Sequence, residues 1–87
     1  MSDEVRIRDA VRRLVRELAA MEGMDEVIPD DEGLLEGGFL QSLQMLELVL
    51  GIGDAFGVEV APGDVFEGHF ASIDAIVAFV AARGGHV

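Results

Sequence analysis

Residues 37–50 read GGFLQSLQMLELVL, and Ser42 is the side chain in this stretch best suited to chemistry. A hydroxyl becomes a nucleophile only when a base stands ready to take its proton. The two histidines, His69 and His86, lie in or near glycine-rich segments, and no spacing assembles a Ser-His-Asp set around Ser42. What the position does suit is an anion on the hydroxyl. At the start of a helix the free backbone N–H groups and the helix dipole favour negative charge, so a phosphoester on Ser42 would be stabilised where it stands. The plainer role for a serine there is a helix cap. The chain has no cysteine, so any thiol chemistry needs a sulfur brought from outside. DEVIPDDEG at 25–33 suggests calcium, but no register supplies the spaced oxygen ligands, central glycine and terminal glutamate of an EF-hand loop. With no acid–base constellation either, an enzyme in its own right is not expected.

The elements that must position Ser42 follow from hydrophobic spacing. Val11, Leu14, Val15 and Leu18 mark one stripe of an amphipathic helix over 3–21, with Ser2 as its cap and Asp3 and Glu4 as its acidic first turn. A long loop over 22–41 carries glycines, a proline and seven carboxylates, and its Val27, Ile28, Leu34, Leu35 and Phe39 are expected to be buried. The second helix runs from Ser42 to Phe56. EVAPGDVFEG at 59–68 reads as a short proline-initiated helix. Ile73, Ile76, Val77 and Val80 restore helical spacing after Ser72, a cap, and Gly84-Gly85 ends the last helix. The expected fold is all-α, a small four-helix bundle of three longer helices and one short one with a long loop between the first two, in a single domain over 1–87.

Leucine falls on nearly every side of the second helix. At about 100° per residue, Met45, Leu48, Val49, Ile52 and Phe56 share one arc and make the core stripe. Leu43, Leu46 and Leu50 lie opposite, beside Glu47 and Asp54. Three adjacent leucines flanked by carboxylates form a patch of the kind that meets a partner.

Charge narrows that partner. The net charge is −11; five of the six arginines lie within residues 6–16, while 17–82 hold fourteen carboxylates and neither lysine nor arginine. Nucleic acid is a poor partner for such a surface, and proteins with basic patches are favoured. The longest apolar run, AIVAFVAA at 75–82, is too short to cross a bilayer, and there is no charged, apolar-cored leader. A cytoplasmic monomer without membrane contact is expected.

With these residues in place, GGFLQSLQMLELVLGIGDAFG resembles the prosthetic-group site of the acyl carrier protein family, which includes peptidyl and D-alanyl carriers. Serine then leucine, Glu47-Leu48-Val49, and Phe56-Gly57 closing the helix match in register. Val58, Val60, Pro62-Gly63-Asp64 and a helix from Ser72 follow in the family's order. The resemblance implies that Ser42 receives 4′-phosphopantetheine from coenzyme A, through a magnesium-dependent phosphopantetheinyl transferase, and that acyl groups ride on the arm as thioesters. It also implies that Gln41, Leu43, Leu46, Glu47, Leu50, Asp54 and Glu59 form the surface read by acyltransferase, ligase and ketosynthase-type partners, and that the carrier itself catalyses nothing. Two departures stand out: Gln41 replaces the aspartate usual before the serine, which the transferase reads, and Gly51 and Gly53 occupy helix positions where carriers commonly have alanine and glutamate. Gln41 keeps a second reading open, an unmodified acidic docking module. The GGFL lead-in and the lean second helix resemble carriers of polyketide or mixed peptide–polyketide pathways more than those of fatty-acid synthesis, and the start methionine and short tails suggest a free-standing carrier.

Overall fold

The computed structural model describes residues 3–21, 23 and 27–84, so Ser2, Gly85 and His86 lie outside the described residues. Four helices follow one another: α1 (Asp3–Met21), α2 (Ser42–Phe56), α3 (Pro62–Phe66) and α4 (Ile73–Ala82). No strand occurs among the described residues. The bundle expected from spacing is the bundle observed.

Helix α1 packs against both α2 and α4. It buries Ile7, Val11, Val15 and Ala19, one residue per turn, while Leu14 and Leu18 flank that line half-buried. Helix α2 contributes Met45, Leu48, Ile52 and Phe56 to the core, and α4 contributes Ile73, Ile76, Val77, Phe79 and Val80. Val49, expected in the core stripe, is only half-buried, for a reason that appears at the groove described below. Helix α4 begins as expected: the Ser72 hydroxyl accepts the Ala75 N–H at 3.1 Å.

Five residues support α3 poorly by themselves, and Asp64 fastens it. This buried carboxylate accepts the Ala61 N–H at 2.8 Å at the start of α3 and an Arg83 guanidinium N–H at 2.8 Å at the end of α4. A buried carboxylate is tolerated when it is paired and hydrogen-bonded in this way.

Not every apolar loop residue is buried. Ile28 and Leu34 are, and Phe39 is half-buried, but Val27 and Leu35 are exposed, against expectation. Loop residues have no fixed period, so apolarity alone does not say which of them turn inward. What fixes the loop to the helices is polar. Asp30 accepts two N–H groups of Arg12, at 2.9 and 2.7 Å, and one of Arg8 at 2.7 Å, while Arg8 also bonds Asp74 at 2.6 Å. The Asp30 carbonyl further accepts the Asp74 N–H at 2.9 Å. Arg12, then Arg8, holds the Asp30 carboxyl below the usual carboxylate range. Asp74 and Asp30 raise Arg8 in turn.

A carboxylate whose folded-state pKa is depressed contributes stability above its unfolded value and loses it as the pH falls through the folded one. Asp30→Asn should therefore lower the melting temperature most at neutral pH, with the gap to the unmodified protein narrowing below about pH 4. Melting curves across the acid range check this. The two helix-interior glycines should respond unequally to alanine. A methyl at Gly51 would meet Leu14 Cδ2 at 3.8 Å, an ordinary contact, whereas at Gly53 it would come within 3.3 Å of the Val58 carbonyl oxygen. Gly51→Ala should stabilise by up to about 1 kcal/mol and Gly53→Ala by distinctly less; urea midpoints measure both.

Candidate functional site at the first turn of α2

The start of α2 is positioned by the turn before it. The Leu34 N–H donates to the Ala71 carbonyl at 2.8 Å, and the Leu34 carbonyl accepts the N–H groups of Phe39 and Leu40, both at 3.0 Å. The glycine pair makes that turn feasible. A Cβ on Gly37 would lie 2.7 Å from the Gly33 carbonyl and 2.9 Å from the Phe39 ring, and Gly38 adopts φ +77°. Leu40 and Met45, both buried, then occupy the two positions of a hydrophobic staple, which sets the angle at which the chain enters the helix.

Ser42 is not the cap. That place belongs to Gln41, in extended conformation, whose N–H donates to the Oε1 of Gln44 at 3.1 Å. The buried Gln44 side chain thus caps the helix from within, and Ser42 is left as the first helical residue. Its hydroxyl is exposed and bonds no described residue, and neither do the N–H groups of Ser42 and Leu43. The first turn of α2 contains no acidic residue. A free hydroxyl beside free N–H donors at an uncharged helix start fits a phosphodiester, whose negative charge the helix terminus would favour.

The face expected to meet partners is open. Leu43, Leu46 and Leu50 are 63, 58 and 64 % exposed. Glu47, Asp54, Glu59 and Gln41 are exposed as well. The fold adds Phe66, 89 % exposed at the end of α3, which sequence reading missed. A phenylalanine in a five-residue helix has no period that would mark it as outward. Between α2 and α3 lies an open groove of about 620 Å³. Ser42 is among the residues that line it, with Leu46, Val49, Leu50, Val60 and Phe66. Half-exposure of Val49 follows from this groove.

His69 plays no part here: it stacks on Phe79 with ring centroids 5.3 Å apart and lies 3.3 Å from Glu67. Asp64, Glu67 and His69 group their ligand atoms within 4.8 Å of one another, but Asp64 is already neutralised by Arg83.

A small helical bundle that offers an unengaged serine at a helix start, beside an apolar face ringed with carboxylates, has the form of a carrier domain. The family model described as the phosphopantetheine attachment site matches residues 9–80, and the chain belongs to that family. No curated protein and no solved structure matches it significantly. Membership brings a covalently attached 4′-phosphopantetheine group, which supplies a thiol able to hold an acyl group as a thioester. It also brings interaction with phosphopantetheinyl transferases and synthase enzymes in general, and domains of this family are typically non-catalytic. No helix of the described residues is long and apolar enough to cross a membrane.

The uncharged first turn gives a direct test of the local electrostatics. Gln41→Asp should raise stability by about 0.3–1 kcal/mol at low ionic strength, with the gain shrinking as salt is added. Urea unfolding at two salt concentrations measures both effects.

Proposed function

We propose that this single domain is an acyl carrier whose prosthetic group is attached through the Ser42 oxygen, and which presents its cargo to partner enzymes across the exposed face of α2. The observation that carries the reading is Ser42 itself: exposed, relieved of capping by Gln41 and Gln44, and flanked by free N–H groups inside the family-matched region. The hydroxyl oxygen bonds to the pantetheine-bearing phosphorus of coenzyme A and becomes the ester oxygen of a phosphodiester; the phosphoanhydride bond breaks with adenosine 3′,5′-bisphosphate as leaving group, and the hydroxyl proton passes to solvent or a base on the transferase. Basic patches on that transferase, and on acyltransferase, ligase and ketosynthase-type enzymes, meet Glu47, Asp54 and Glu59. Leu43, Leu46, Leu50 and Phe66 supply the apolar contact. Gln41, Gly51 and Gly53 thin the acidic charge along this face, a feature that favours a polyketide or mixed peptide–polyketide pathway over fatty-acid synthesis. The cytoplasm, where coenzyme A and such enzymes meet, is the compartment this role requires.

Incubation with coenzyme A, magnesium and a broad-specificity transferase should add one phosphopantetheine mass to the chain, seen by intact-mass spectrometry, and Ser42→Ala should abolish the gain. No gain with several transferases would leave an unmodified docking module as the better reading. Leu46→Ala and Glu47→Ala should each raise the transferase KM by roughly 3- to 10-fold, with kcat little changed; steady-state kinetics at fixed salt separate the two.

A further inference from the structure

Beside the loop that delivers Ser42 lies a half-open surface pocket of about 230 Å³, whose lining includes the buried Phe70 and the exposed Gly68 and Ala71. It shares Leu35, Met45 and Val65 with the groove that Ser42 lines, so the two openings adjoin. One lining residue is charged, Glu36; the others are apolar. The Glu36 side chain folds back over Gly33: a Cβ on Gly33 would lie 3.1 Å from the Glu36 Cβ and 3.3 Å from its Oε2. Glycine at 33 thus leaves room for the carboxylate at the pocket. That carboxylate makes no hydrogen bond or ion pair with any described residue. None of the six arginines lines the pocket, and Arg8, Arg12 and Arg83 are paired elsewhere. A cation for Glu36 has to come from another molecule.

We propose that this pocket receives an arginine side chain of the phosphopantetheinyl transferase, with Glu36 as its anionic anchor. The inference rests on Ser42 being the residue modified. An apolar pocket with one free carboxylate fits a side chain with a long apolar stem and a cationic head. Arginine fits better than lysine. Its guanidinium is more weakly hydrated, so it enters a half-enclosed apolar site at less cost, and its planar fork donates two N–H groups to one carboxylate. Position selects the transferase among the partner enzymes. Synthase enzymes act on cargo at the thiol end of the arm, whereas the transferase has to bring phosphorus to the Ser42 oxygen and so must cover the surface around it. The first turn of α2 holds no acidic residue, so a transferase cation finds no carboxylate there; at the adjoining pocket it finds Glu36. Glu47, Asp54 and Glu59 steer the encounter from a distance, and the filled pocket fixes its register. Glu36 therefore acts on KM and not on the bond-forming step.

The test uses the full chain, coenzyme A, magnesium and a broad-specificity transferase at fixed salt. Glu36→Gln keeps the shape of the side chain and removes its charge. KM for the carrier should rise roughly 3- to 10-fold, with kcat and melting temperature unchanged. Glu32→Gln, which removes an exposed charge from the same loop outside the pocket, should leave KM within about twofold. Ala71→Leu, which fills the pocket and leaves the charge, should raise KM as well, and the two effects should not add in the double variant. Arginine-to-glutamine variants across the transferase's docking face identify the occupant: one should raise KM with the unmodified sequence and lose that effect with Glu36→Gln. If Ala71→Leu fails to fold, this pairing still decides. Equal KM for Glu36→Gln and the unmodified sequence overturns the inference and leaves the carrier reading standing. A rise shared in full by Glu32→Gln overturns it too, since general charge then suffices. Coupling of Glu36 to a transferase lysine, or to no cation, overturns the arginine. A chain that gains no mass overturns the carrier reading and this inference with it.

Discussion

Leu34 is fully buried, donates its N–H to the Ala71 carbonyl, and through its own carbonyl holds the N–H groups of Phe39 and Leu40. This one residue ties the long loop to the segment ahead of α4 and delivers the chain to the start of α2. Without it, Leu40 would not be held in the core one residue before the cap, and the direction of the first turn would be undefined. Freedom at Ser42 is the product of that constraint. Because the approach is fixed by backbone hydrogen bonds and by Gln44 reaching back to Gln41, no capping duty falls on the serine.

Charge is organised in a complementary way. The arginines of α1 face an acidic chain, and two of them, Arg8 and Arg12, are spent on Asp30, Asp74 and Glu4. Arg83 is spent on Asp64. These pairings hold the loop and α3 to the bundle, and they leave the carboxylates beside the α2 leucines without a cation from the chain among the described residues. An acidic rim around apolar side chains attracts a basic surface at a distance and then rewards close contact by burial. Three of the six arginines thus serve architecture, while the carboxylates beside the α2 leucines stay open for encounter.

Much of this arrangement was legible in the residues themselves. The ends of α1 and α2 follow from 3.6-residue spacing and from glycine at Gly57, and Ser72 is the cap its position suggests. Leu43, Leu46 and Leu50 were readable as outward because a helix cannot turn opposite faces to one core. Other features were hidden. Val27 and Leu35 looked like core residues and are exposed, since a loop imposes no period on its side chains. Phe66 stands in solvent, which no spacing in the sequence signalled, since five residues are too few to define a face. The capping exchange between Gln41 and Gln44 was unreadable because glutamine is a rare cap and its reach depends on rotamer.

What the sequence determined by itself was local: which segments are helical, which side of α2 is apolar twice over, and which hydroxyl lies at its start. Periodicity and capping act over a few residues and are written in consecutive letters. The tertiary structure alone decided that α3, fastened by Asp64 to Arg83, stands off α2 far enough to leave an apolar groove. Volume between helices depends on how distant side chains meet, and no stretch of chain encodes that on its own.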